Sequence, residues 1–165
     1  MTTEPAVGVP AIVPAHDMDV VRELFREYQA FLGVDLCFQD FERELASLPG
    51  SYAPPAGAIV LATANDAVAG CVGLRPLPNG ACEMKRMYVR PAFRGSGLGR
   101  ALAEAVVAAA VDAGYRSMRL DTLETLHAAI DLYRSMGFVP IEPYYHNPLP
   151  GVLYLEKALP GADRT

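Results

Sequence analysis

Seven residues, RGSGLGR at 94–100, set three glycines within five positions, between a strand-like run, CEMKRMYV, and a helix-forming run, ALAEAVVAAAVDAG. Glycine is entropically costly to order, so this spacing demands a fold that wants bare backbone where a strand passes into a helix. A helix N-terminus leaves its first N–H groups unpaired and carries partial positive charge, which suits a phosphate. Arg94 and Arg100 flank the stretch and add full charge, enough for a pyrophosphate. The order Gly-Ser-Gly-Leu-Gly-Arg lacks the third glycine of the dinucleotide fingerprint and the Lys-Ser/Thr ending of a phosphate-binding nucleotide loop. On the glycines alone, a tight turn with a close helix contact accounts for Gly95, Gly97 and Gly99 equally well.

The surroundings narrow the fold. Val21, Leu24, Phe25, Tyr28, Phe31 and Leu32 recur at helical spacing, and Gly33 suits the end of that helix, which spans 17–32. A shorter helical pattern runs from Phe38 to Leu48, followed by PGSYAPPAG, whose prolines predict an irregular loop. AIVLAT (58–63), AVAGCVGLRP (67–76) and ACEMKRMYV (81–89) are separated by short polar turns and read as an antiparallel meander. The helix after the glycines closes at Gly114, and YRSMRLDT then alternates as a strand, which implies one parallel strand-helix-strand unit. Leu126, Ala129, Ile130 and Tyr133 give a further helix ended by Gly137, and FVPIEPYY with GVLYLEKAL predicts a closing hairpin. The expected fold is α/β, a mixed, mostly antiparallel sheet flanked by helices, in a single domain over 1–165 whose first 16 residues are partly irregular.

Composition excludes several classes of function. Hydrophobic residues make up 52% and charged residues 20%, which suits a folded chain with a sizeable core. The net charge of −5 gives no general footprint for nucleic acid. Cys37, Cys71 and Cys82 are odd in number and sit in apolar or strand-like runs, so the pattern suggests neither a disulfide framework nor a zinc site; no metal is expected. The N-terminus shows no basic segment followed by an apolar stretch, and Glu104 interrupts the most apolar helix, so the expectation is a cytoplasmic protein without a membrane span.

Read together, these segments resemble a known family. Arg94-Gly-Ser-Gly97-Leu-Gly99 resembles the Arg/Gln-x-x-Gly-x-Gly/Ala motif of the GNAT superfamily of acyl-CoA-dependent N-acyltransferases, and DLYRSMGF resembles that family's Leu-Tyr-x-x-x-Gly-Phe segment. The strand MYV before the glycines and the alanine-rich helix after them fall in the family's order. The resemblance implies acetyl-CoA as cosubstrate, with its pyrophosphate on the backbone of Gly95, Ser96, Gly97, Leu98, Gly99 and Arg100, next to Arg94. It also implies that Met87, Tyr88 and Val89 meet the pantetheine arm and acetyl carbonyl through their main chain. Many members carry asparagine seven residues before the tyrosine of DLYRSMGF; here Leu126 stands there, followed by His127.

Acyl transfer from a thioester to an amine requires a neutral amine, a polarised carbonyl and a proton for the departing thiolate. By resemblance Tyr133 is the proton donor, although its helical face also suits a core ring. Glu83, on the strand leading to the acyl site, is the candidate base, acting directly or through water, or else it faces solvent. Lys85 and Arg86 either decorate that strand, keep Glu83 ionised or bind a substrate carboxylate. A covalent route through Cys82 would need an adjacent base and a lowered thiol pKa. His146 borders a proline-bounded loop with no assigned role beyond substrate contact. Arg22, Arg26, Tyr28, Arg75 and Tyr145, in the segments expected to set specificity, are either carboxylate contacts or solvated. The acceptor is a small amine, an amino acid or a peptide; the competing expectation is a non-catalytic acyl-CoA-binding or interaction module. Edge strands and the C-terminal hairpin offer surfaces to a homodimer.

Overall fold

The computed structural model describes residues 10–36 and 40–160. Cys37 and the start of the second helical run at Phe38 lie outside the described residues. Seven strands, β1 (Ala11–Pro14), β2 (Ala58–Ala64), β3 (Ala67–Pro76), β4 (Ala81–Val89), β5 (Ser117–Leu123), β6 (Val139–Pro140) and β7 (Val152–Ala158), form one sheet in the order β1-β2-β3-β4-β5-β7-β6. Neighbours are antiparallel except β4 and β5, which run parallel. The described helices are α1 (Met18–Leu32), α2 (Phe41–Ser47), α3 (Leu98–Asp112) and α4 (His127–Ser135). The mixed, mostly antiparallel sheet expected from the meander and the single crossover is the one observed.

Two apolar layers flank the sheet. On one face Leu102, Ala103, Val106 and Ala110 of α3 pack on Val72, Met84, Met118 and Leu120. On the other, Val21, Leu24 and Phe25 of α1 and Phe41 and Leu45 of α2 cover Ile59, Leu61 and Cys71. Helix α1 begins where the Asp17 carboxylate accepts from the Asp19 N–H at 2.9 Å and ends where Gly33 turns left-handed. Arg90 ties this helix to the sheet, donating to Glu27 at 2.8 Å and to the Val68 carbonyl at 2.9 Å.

Two details go beyond the expectations. Within the N-terminal segment expected to be partly irregular, Ala11–Pro14 pairs with β2 as an edge strand, a position where proline is tolerated. PGSYAPPAG contains one 3₁₀ turn, Gly50–Tyr52, and its Tyr52 ring is buried against Gly73, whose missing Cβ leaves it room. The loop is therefore anchored in the core through Tyr52.

Gly70 lets α3 sit close to the sheet. A Cβ there would lie 2.4 Å from the Tyr88 carbonyl oxygen and 3.3 Å from Leu102, and the former is backbone that cannot rotate away. Gly70→Ala is expected to lower stability by roughly 1–3 kcal/mol, read as a fall in thermal midpoint; an unchanged midpoint would show that the strand yields freely.

Candidate active site

The site begins where two strands part. Ala81, Cys82 and Glu83 of β4 pair with Ser117, Met118 and Arg119 of β5, and the ladder stops there although both strands continue. Strand β5 stays on β7 through Leu123↔Val152, while β4 stays on β3. Between Lys85 and Tyr88, β4 places an extra residue opposite Val72, and Arg86 takes a left-handed φ of 59°. Such a bulge bends its strand and exchanges the faces of the residues beyond it. Met84 faces α3 before it, and Met87 and Val89 face α3 after it. The parted strands open a cavity of about 580 Å³, lined by Met87 and Val89 on one side and by Asp121, Thr122 and Leu123 on the other.

At one end this cavity reaches the glycine loop through Arg94 and Gly99. Gly95 and Gly97 have left-handed φ of 81° and 83°, and a Cβ at either would meet nothing within 4 Å. The Ala101 N–H reaches back to the Gly97 carbonyl at 3.1 Å, so helix geometry directs the preceding N–H groups of Leu98, Gly99 and Arg100 outward. Gly95, Ser96, Gly97 and Arg100 are exposed, whereas the Leu98 side chain is buried beneath them. Arg94 bends back, donating to the Val89 carbonyl at 2.9 Å with its guanidinium 4.4 Å from the Phe31 ring centre. Arg100 donates to Ser135 at 2.7 Å, linking α3 to α4. Open backbone beside cationic side chains fits a pyrophosphate. Tyr88 points away from the cavity, beneath α1, against Tyr28 and Phe31.

Tyr133 and Leu126 line the cavity from α4 and its N-terminal boundary, together with His127. The Tyr133 ring is buried against Phe138, and burial first, then Tyr28 and Asp121, raises its hydroxyl above the ordinary value. Leu126 presents an apolar side chain to the cavity.

Glu83 is placed differently from a base in the cleft. It is buried on the α1 face of the sheet, where one carboxylate oxygen accepts from Arg75 at 2.7 Å and the other from the Tyr144 hydroxyl at 2.5 Å. It does not line the cavity. The carboxylate that does is Asp121, two residues beyond the last β4–β5 pair. It meets Lys85 at 3.6 Å and accepts from Tyr145 at 2.7 Å and Asn147 at 3.2 Å. Burial pulls the Lys85 ammonium below its usual range despite Asp121. Arg86, also on the cavity wall, is held by Glu44 at 3.0 and 3.2 Å. Sequence reasoning placed Lys85 on the right strand but missed Asp121, whose partner becomes visible only once β4 and β5 are known to pair in register.

Of the other candidates Tyr28 is on the cavity wall, whereas Cys82, His146, Arg22 and Arg26 are not. Burial pushes the Cys82 thiol up to about 12, and it points to the Ser117 carbonyl at 3.4 Å, so it lacks the lowered pKa of a nucleophile. His146 is exposed and does not line the cavity. Arg22 and Arg26 bond to Leu45 and Glu42 and hold α1 to α2. The described residues contain no cluster suited to a metal and no helix long and apolar enough to cross a membrane.

Burial raises Tyr28 to about 12 and also raises Tyr133, Tyr144 and Tyr145. An unfolded tyrosine ionises near 10, so these four stabilise the fold fully below that pH, and their contribution is lost as the pH rises through the folded values. A near-ultraviolet titration should show them ionising only as the chain unfolds. Their ionisation near the ordinary value in a chain still folded by circular dichroism would contradict the buried placement.

The sequence matches the acetyltransferase (GNAT) family over residues 18–138. It is 43% identical over 151 residues to an uncharacterized N-acetyltransferase of Schizosaccharomyces pombe, covering 90% of this chain and 93% of that one. Among solved structures, a GNAT acetyltransferase of Staphylococcus aureus Mu50 superposes with a TM-score of 0.76 at 20% identity, covering 92% of this chain and 99% of the other. A Salmonella typhimurium protein solved with its cofactor acetyl-CoA gives 0.65 at 21% identity, covering 91% and 94%.

Proposed function

The chain belongs to the acetyltransferase (GNAT) family, and from that premise we propose that it transfers the acetyl group of acetyl-CoA directly to a primary amine held in the cleft between β4 and β5. The observation that carries this reading is the continuity of the cavity, which runs from the glycine loop past Met87 and Val89 to Tyr133 and Asp121. In this reading the N–H groups of Leu98, Gly99 and Arg100 hold the pyrophosphate, with Gly95, Ser96 and Gly97 leaving the approach clear and Arg94 adding charge. The edge of β4 at Met87, Tyr88 and Val89, which β5 does not pair, receives the arm through its main chain, with Arg94 releasing the Val89 carbonyl.

Bound acetyl-CoA supplies the thioester. The amine nitrogen forms a C–N bond to the acetyl carbon as the C–S bond breaks, the coenzyme leaves as its thiol, and the acceptor gives up one proton. Tyr133 donates a hydrogen bond to the sulfur as charge develops there. Its raised pKa keeps it protonated at neutral pH but makes full transfer to a thiolate uphill, because a free thiol ordinarily ionises near 8.5. The proton Tyr133 surrenders is therefore replaced in the same event by the one the amine releases. Glu83 positions Tyr144 and Arg75 at the edge of the site and does not touch the acceptor.

Tyr133→Phe should lower kcat for thiol release by roughly 100-fold or more, while calorimetry finds acetyl-CoA binding as in the wild type. Unchanged turnover would remove Tyr133 from the reaction.

A further inference from the structure

The ion pairs on the α1 face of the sheet differ in how tightly they are made. Arg75 meets Glu83 at 2.7 Å, Arg86 meets Glu44 at 3.0 Å and Arg119 meets Glu156 at 2.6 Å. Lys85 and Asp121 stand 3.6 Å apart, and both line the cavity. Their side chains are only 5% and 12% exposed. They occupy equivalent positions, each two residues past the Glu83↔Arg119 pair, at the vertex where the strands part. Val89 lies four residues further along β4, roughly 13 Å of extended chain away, on the side of the glycine loop.

We infer that the Lys85–Asp121 pair is the acceptor site, and that it selects an α-amino acid with an apolar side chain, whose ammonium is taken by Asp121 and whose carboxylate is taken by Lys85. The inference rests on the acetyltransferase reading above. Its physical ground is charge conservation in a low-dielectric site. A plain alkylammonium bound to Asp121 would add net positive charge to a buried pair that is neutral, and a plain carboxylate bound to Lys85 would add negative charge. A zwitterion set against the Lys85–Asp121 pair leaves the sum unchanged and places an opposite charge beside each of the two. An α-amino acid fits best because one carbon separates its two charged groups, matching a pair 3.6 Å wide. Leu32, Leu36 and Leu149 on the remaining wall receive an apolar side chain.

The placement serves the reaction. Asp121 and Tyr133 line the same cavity, so an ammonium held by Asp121 shares that space with the proposed donor. The ammonium first gives one proton by way of Asp121 to solvent; the neutral nitrogen then bonds to the acetyl carbon as the C–S bond breaks, its second proton reaches the sulfur through Tyr133, and the products are the N-acetyl amino acid, the free coenzyme thiol and a proton. Tyr145 and Asn147, which bond to Asp121 from the loop before β7, fix the carboxylate in orientation.

The test compares each apolar L-amino acid with the amine obtained by removing its carboxylate: leucine with isoamylamine, methionine with 3-methylthiopropylamine, phenylalanine with phenethylamine. Thiol release from acetyl-CoA should show kcat/KM for the amino acid higher by roughly ten- to a hundred-fold, the span of a charge-assisted contact. Calorimetry on protein saturated with coenzyme A should show the amino acid binding and the amine binding more weakly by a similar factor. Lys85→Met should erase the preference through KM for the amino acid, and Lys85→Arg should restore part of it. Amines used as well as, or better than, amino acids would overturn the inference and leave the acetyltransferase reading standing. Acetyl-CoA binding without thiol release for either set would overturn both.

Discussion

The parting of β4 from β5 is the constraint on which the rest of the molecule depends. Three residue pairs join the strands, and beyond Glu83↔Arg119 each follows its other neighbour, β4 with β3 and β5 with β7. The bulge at Arg86 makes the separation abrupt and turns Met87 and Val89 toward the α3 layer. A regular ladder through Val89 would fill the cleft with its own hydrogen bonds. Because it stops early, β4 presents to the cleft an edge that β5 does not pair and that leads toward the N-terminus of α3. Cleft and glycine loop are thus two ends of one arrangement, joined by the short connection from Arg90 to Gly97.

The same parting divides the ionic groups of the sheet into two kinds. Glu83, Glu44 and Glu156 are closed by arginines at 2.6–3.0 Å and contribute to holding segments together. Arg86 in particular is buried between α2 and the bulge, its guanidinium 5.1 Å from the Phe41 ring centre. Burying such groups is tolerable because each pair is well made. Lys85 and Asp121 have the longer contact and sit on the cavity wall, where the inference above places the acceptor. The tyrosines of the loop before β7 bridge the two kinds, Tyr144 bonding to Glu83 and Tyr145 to Asp121.

Much of this was legible in the sequence because local signals agreed with the global fold. Asp17 and Gly33 bounded α1, the turns at Asn65–Asp66 and Asn79–Gly80 marked the meander, and Gly97 preceded α3. The family followed from RGSGLGR with DLYRSMGF. The features that stayed hidden depended on register and tertiary context. The bulge at Arg86 has no local signature in MKRMYV, since arginine rarely adopts positive φ. Alternation correctly set Glu83 opposite Met84, yet it could not say that Arg75 and Tyr144 would occupy both carboxylate oxygens. Asp121 carried no motif; its meaning comes from standing beside Lys85. Tyr52 read as loop because its prolines dominate the local pattern, whereas its burial depends on the distant Gly73.

The central claim is that acetyl-CoA lies in the opened cleft with its pyrophosphate on the N-terminus of α3. Residue-resolved amide hydrogen exchange with and without coenzyme A tests it most directly. The account predicts that the coenzyme slows exchange at Leu98, Gly99 and Arg100 and along the edge of β4 from Met87 to Val89, with little change in the β1–β2 pair. Saturating coenzyme that left the amides of the glycine loop as fast as in the free protein would contradict it.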